Sequence, residues 1–201
     1  MAMDRWLAER VVRLYAGLVL FGMSIGLMVR AELGLGPWDV LHQGLSERLD
    51  ISIGWVLIGV GALAMLAWIP LRERPGFGTV SNMIGVGLAV DATLAVLSTP
   101  GSLVGRAAML VLGIVMNGVA TGLYIGAGFG PGPRDGLMTG LARRGPSIRV
   151  VRTGLELAVL VVGFALGGSV GVGTVVFALG IGPLVHVFIP RLVAPVAPLG
   201  D

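Results

Sequence analysis

Six apolar runs dominate the chain, near residues 11–31, 53–70, 79–98, 105–127, 150–168 and 173–190. Each is long enough to cross a hydrocarbon core of about 30 Å as a helix. Between the first and second run of each half lies a shorter stretch with a mixed pattern. Over 37–49, Trp38, Leu41, Leu45 and Leu49 fall on one helical side, with Asp39, His42, Gln43, Ser46 and Glu47 on the others. Its 13 residues reach only about 20 Å at helical rise, too short to span. The segment is expected to lie at the interface, to re-enter, or to form part of a broken helix. A counterpart is expected at 133–144.

The two halves are copies. Residues 17–45 align without a gap on 113–141, 96 positions on, with 13 of 29 identical. A second block, 76–90 against 171–185, matches at seven of 15 positions with an offset of 95. The one-residue change falls in the connection between the blocks, where length is cheap to alter. The period is too long and too apolar for a solenoid repeat and suits half of a small membrane transporter or channel. Repeat 1 is placed at 10–98 and repeat 2 at 105–192, in a single membrane domain over 1–201. Three spans per repeat is odd, so the second half inserts upside down relative to the first.

Composition agrees: 55% of residues are hydrophobic, 12% are charged and mean hydropathy is +0.93. All 14 basic residues are arginine. With the N-terminus in the cytoplasm, eleven arginines fall on the cytoplasmic side and only Arg30, Arg48 and Arg106 on the other. That asymmetry predicts six spans with both termini in the cytoplasm. The high pI thus reports loop orientation, and nucleic acid is not an expected partner. The first span resembles a signal peptide, but no small-residue cleavage site follows it and its repeat copy is internal, so it is expected to be retained. The absence of cysteine and the presence of only His42 and His186 exclude disulfides, thiolate chemistry and a His/Cys metal centre. No nucleophile–base pair is evident, so neither an enzyme nor a cofactor is expected.

The sharpest motif is Gly-Pro-x-Asp-x-Leu-x-x-Gly-Leu, at Gly36–Leu45 and Gly132–Leu141. Glycine suits the N-cap, proline the first helical position, and Asp39 or Asp135 the first turn, where a carboxylate answers free N–H groups and the helix dipole. Two readings stand. The aspartates are caps on packed helices, or the paired half-helices point their N-termini into a cavity and bind solute there. The second makes Gly36, Trp38, Asp39, Gly132, Arg134 and Asp135 candidate solute-binding residues. Asn82 and Asn117 join them because each is a polar residue within a span whose repeat partner is aromatic, Phe177 and Phe21 respectively. Asp91 and His186 occupy the same place in the second block, inside apolar runs, and are candidates for proton coupling. Arg152 and Glu156, one turn apart, are expected to pair at a cytoplasmic helix end. Gly22/Gly26 and Gly118/Gly122/Gly126 make small-residue stripes for close helix packing, within the chain or between two copies. The Gly-x-Gly pairs at 85–87 and 180–182 follow no strand and are not dinucleotide fingerprints.

On GLGPWDVLHQGLS and GFGPGPRDGLMTGL the chain resembles the bacterial YczE/YyaS/YitT-type integral membrane proteins, most of all the YczE branch. The second copy departs from the motif by Arg134 in the tryptophan position and an extra Pro131. The resemblance implies a small multi-spanning inner-membrane protein and names no solute. The leading expectation is a secondary transporter or exporter of a small solute, coupled to protons through Asp91, His186 or the Asp39/Asp135 pair. The alternative is a non-transporting membrane protein that assists assembly or localisation of an enzyme, with the basic stretch Arg134–Arg152 as its docking surface. A passive channel is third.

Overall fold

The computed structural model describes residues 2–193, which are all helix and connecting loop. Eight helices follow in order: α1 (Ala2–Ala31), α2 (Pro37–Leu49), α3 (Ile53–Leu71), α4 (Phe77–Val96), α5 (Leu103–Gly126), α6 (Pro133–Ala142), α7 (Ile148–Ala165) and α8 (Val172–Leu192). The order long, short, long, long thus occurs twice. α2 has its predicted limits, whereas α6 stops two residues before the predicted 144. Five helices, α1, α3, α4, α5 and α8, are long and apolar enough to cross a membrane. α7, the remaining expected span, is a helix of 18 residues but carries Arg149, Arg152 and Glu156. Two of those three charges line a cavity described below, which is why this helix is less apolar than the rest.

Local signals set the helix starts. Ser52, Ser102 and Ser147 cap α3, α5 and α7, accepting from Trp55, Gly105 and Val150 N–H respectively. Gly76 and Gly171 precede α4 and α8, and each donates its N–H to the threonine three residues on, Thr79 at 3.1 Å and Thr174 at 3.2 Å. Ser52 and Ser147 are 95 positions apart, as are Thr79 and Thr174. The change of offset therefore lies before α3 and α7, within the connection between the two aligned blocks.

Helix packing follows the repeat. α1 packs on α5 at the centre; α1 packs on α4 as α5 does on α8; α2 packs on α7 as α6 does on α3. At the central crossing, a Cβ on Gly17 would lie 2.8 Å from Tyr124 N and 3.1 Å from Ala120 O. A Cβ on Gly113 would lie 2.8 Å from Met28 Cγ and 3.0 Å from Ser24 O. These are the same positions exchanged between halves. Leu14, Leu18, Phe21, Ile25 and Met28 make the buried stripe of α1 there, joined by Leu110, Ile114, Ala120 and Tyr124 of α5. Each half also holds the other's loop. Gly173 N donates to Leu33 O at 2.7 Å, and Gly78 N donates to Phe129 O at 2.9 Å. Beside these bonds Gly34 and Gly130 sit at φ of 105° and 110°, a conformation that excludes ordinary side chains. One contact breaks the pattern: α3 packs on α4, but α7 and α8 are not packed together to that extent.

Large apolar side chains cover the outside, among them Trp55, Leu63, Leu66 and Ile69 of α3 and Leu179 and Val187 of α8. Such a surface fits contact with a lipid bilayer. The glycine stripes expected to serve either packing or a homodimer are engaged within the chain. Gly22 and Gly26 meet Ala89 and Thr93, while Gly118, Gly122 and Gly126 meet Leu184, Phe188 and Leu192.

Because the α1–α5 backbones approach so closely, Gly17→Ala and Gly113→Ala should each lower unfolding stability in detergent, by about 1–3 kcal/mol as overpacking does. Gly182→Ala, whose new Cβ meets nothing within 4 Å, should be neutral or stabilising. Equal effects for all three would refute the central crossing.

Candidate functional site

Both short helices start at the middle of the protein. Gly36 and Gly132 are their N-caps, Pro37 and Pro133 follow, and neither N-cap glycine has a side chain to bond the first turn. α6 is fixed by Trp68, whose Nε1 donates to Pro133 O at 2.9 Å in a buried setting. A Cβ on Gly136 would lie 2.0 Å from the Trp68 ring, so only glycine lets α6 lie there. α2 is fixed instead by α7. Gly44 faces Gly163 O, and Gly168 faces Val40 O.

Two cavities adjoin these helix ends. The larger, about 130 Å³, is bounded by the start of α2, by Asn117, Thr121 and Tyr124 of α5, by Arg134 and Asp135 of α6, and by α7 and α8. The smaller, about 40 Å³, lies between α3 and α4, with Asn82, Met83 and Val86 on its α4 side and Trp38 and His42 on its α2 side. Phe21, Trp38, Tyr124 and Arg134 line both and so form the septum between them.

The cavities occupy corresponding places in the two halves. Asn82 and Val86 of the smaller correspond to Phe177 and Ile181 of the larger, and Phe21 and Ile25 to Asn117 and Thr121. With Ser52 matched to Ser147, Leu57 and Gly61 correspond to Arg152 and Glu156. Hence one cavity is walled by apolar residues where the other carries an ion pair, Arg152 Nε donating to Glu156 Oε1 at 2.9 Å. The loose α7–α8 contact leaves room for that larger, charged space.

Polar groups at the septum are incompletely satisfied. Tyr124 O–H donates to Asp135 Oδ2, and Tyr124 meets Phe21 edge-on with centroids 6.0 Å apart. The Arg134 guanidinium sits 5.0 Å from the Phe21 ring centre. Among the described residues it has no carboxylate within ion-pair distance. Trp38 Nε1, Asp39 Oδ1 and His42 Nδ1 are buried with no hydrogen-bond partner. A buried polar group without a partner costs about 1–3 kcal/mol, so such a cluster marks either water or a ligand site. Asn117 is satisfied, its Nδ2 donating to Ser24 Oγ at 2.9 Å.

Of the expected solute-binding residues, Gly36, Trp38, Asp39, Asn117, Arg134 and Asp135 therefore face the larger cavity, and Asn82 the smaller. Gly132 lies against Asn82 and Asp135, whose oxygens would be 3.1 Å from a Cβ placed on it. Neither aspartate caps its helix by accepting a backbone N–H as expected; Asp135 accepts from Tyr124. Asp91 and His186 are not brought together and line neither central cavity. Asp91 holds the start of α3, accepting from Ser52 Oγ at 2.5 Å and Gly54 N at 2.8 Å. His186 is exposed, in a shallow recess of α8 beside Gly182 and Pro190. Tyr124 and His42 join the site although nothing in the sequence singles them out. His42 stands on the polar side of α2, and only the packing of α2 turns it inward.

A helical bundle with five helices long and apolar enough to cross a membrane, and polar groups buried among them, is a membrane protein. The chain belongs to the family described as a family of unknown function (DUF6198), matched over residues 8–190. It is 40% identical over 191 residues to an uncharacterized protein of Haemophilus influenzae, covering 94% of this chain and 88% of that one. It is 31% identical over 180 residues to the uncharacterized membrane protein YczE of Bacillus subtilis, covering 88% and 84% of the two chains. Identity to YyaS of the same organism is 29% over 182 residues, with 87% and 89% covered. No solved structure matches the chain.

Two tryptophans offer a matched test of the polar bookkeeping. Trp68→Phe and Trp38→Phe remove the same atoms from buried sites, but only Trp68 makes an indole hydrogen bond. Trp68→Phe should cost about 1–3 kcal/mol more in denaturant unfolding. Equal losses would mean that Trp38 Nε1 is bonded after all.

Proposed function

We propose that this chain is a secondary transporter or exporter of a small solute. Its six membrane helices form two inverted repeats, 10–98 and 105–192, with both termini in the cytoplasm. The observation that carries the reading is the pair of corresponding cavities divided by Phe21, Trp38, Tyr124 and Arg134. In an inverted repeat, corresponding sites open to opposite sides of the membrane. A septum of four side chains between them is then a gate, and exchange of the open and closed halves is alternating access. The half-helix ends of α2 and α6 supply backbone dipoles at the gate. Arg134 and Asp39 supply charges of both signs, so the site suits binding and release without chemical change to the solute.

The docking alternative receives less support. Arg134 and Arg152 line the larger cavity, Arg143 bonds Glu73 at 2.7 Å and Arg144 bonds Pro70 O. Most of the basic stretch is thus engaged by its own chain.

The test is uptake and efflux by purified protein in proteoliposomes, with and without a pH gradient, screened over classes of small solute. Saturable flux of at least one solute is expected. Arg134→Gln should weaken half-saturation by roughly tenfold or more, the equivalent of losing one hydrogen bond to a charged group. Absence of flux across the screen, or flux indifferent to Arg134, would count against the reading.

A further inference from the structure

Asp39 and His42 are one turn apart on α2 and nearly sealed from the surface, 3% and 4% exposed. Asp39 Oδ1 and His42 Nδ1 approach to 3.4 Å, within ion-pair range, yet neither has a hydrogen-bond partner. Their cavities differ. Asp39 lines the larger and His42 the smaller, so the contact between them crosses the septum. We infer that the Asp39–His42 pair is a proton-binding relay that joins the two cavities.

The chemistry follows from the two unpartnered atoms. With the neutral ring in its Nε2–H tautomer, the carboxylate oxygen and the bare Nδ1 are both acceptors, and facing each other they repel. One added proton turns them into a donor and an acceptor. Water in the larger cavity delivers a proton to the Asp39 carboxylate, making the acid. That proton passes from Oδ1 to Nδ1, restoring the carboxylate and forming an imidazolium. The imidazolium then releases its Nε2 proton to water in the smaller cavity, leaving the Nδ1–H tautomer, and exchange of that hydrogen back to Nε2 through cavity water resets the pair. Each cavity, about 130 and 40 Å³, exceeds the roughly 10–15 Å³ that a water needs. Histidine is the side chain suited to such exchange near neutral pH.

The other charged groups around the pair are few. α6 contributes Arg134 and Asp135, the latter bonded by Tyr124 of α5. α7 contributes the Arg152–Glu156 ion pair. α3 contains no charged residue within its helix, and Asp91 of α4 is committed to the start of α3. On α2 itself Glu47 and Arg48 lie beyond His42, toward the exposed end. Use of the relay for coupling rests on the transporter reading, whereas its proton binding does not.

Ring-nitrogen NMR of ¹⁵N-histidine-labelled protein in lipid nanodiscs tests the binding directly. The chain has two histidines, and His186→Gln assigns the remaining signal to His42. In the wild type, the His42 ring resonances should change on acidification across about pH 8 to 5. Asp39→Asn should shift that change along the pH axis, as loss of an adjacent charge does. Asp91→Asn should leave it in place. Resonances that stay flat across this range in the wild type would overturn the proposal without any variant. A His42 response indifferent to Asp39→Asn would overturn it as well. Transport without this titration, or the titration without transport, separates failure of the relay from failure of the transporter reading.

Discussion

The close approach of α1 and α5, permitted because Gly17 and Gly113 lack a Cβ, sets the geometry on which both cavities depend. Side chains at that crossing form the central walls. Phe21 and Ile25 of α1 face the smaller space, and Asn117, Thr121 and Tyr124 of α5 face the larger. The Asn117–Ser24 hydrogen bond ties the two helices at the same level. In a membrane, where neighbouring helices gain little from excluding lipid, small residues and a buried polar bond are what hold such a crossing together. Widening it by one methyl group would move both cavity walls and the septum at once.

Exchange between the halves accounts for the half-helices. The loop leading into α2 is bonded to the start of α8, and the loop leading into α6 to the start of α4. Each short helix then packs on the third helix of the opposite half: α2 on α7, α6 on α3. The ends are held elsewhere too. Arg10 of α1 donates to Ala127 O at 2.7 Å beside one loop, and Thr99 and Arg106 donate to Glu32 beside the other. Neither half closes its own centre, so the N-termini of α2 and α6 meet polar groups contributed by both. The cavity walls differ between the halves, with Leu57 and Gly61 standing opposite Arg152 and Glu156 in their alignment. The packing glycines Gly17, Gly22 and Gly26, by contrast, match Gly113, Gly118 and Gly122.

Periodicity and the repeat made much of this legible. The limits of α2, the Gly-Pro starts of both short helices and the small-residue packing stripes all follow from residue types whose backbone needs are strong. Three matters were not legible, for distinct reasons. α7 reads as an ordinary span until one sees Arg152 and Glu156 turned toward a cavity. Asp91 reads as an intramembrane charge, yet Ser52 and Gly54 at the start of α3, 37 or more residues away, meet it. His42 lies on a helix whose polar side resembles a solvated one, and only tertiary packing distinguishes inward from outward. Sequence pattern reports what a residue prefers; which neighbour satisfies it depends on contacts across the halves.

The most direct test of the account uses the absence of cysteine from the chain. Leu57→Cys and Arg152→Cys each place one thiol at corresponding positions of the two cavities, and a membrane-impermeant thiol reagent can be applied to either face of oriented vesicles. The account predicts that Arg152→Cys reacts from the cytoplasmic face and Leu57→Cys from the opposite one. Reaction of both from the same face, or of neither while an exposed control such as Ser102→Cys labels normally, would contradict two corresponding cavities in inverted halves.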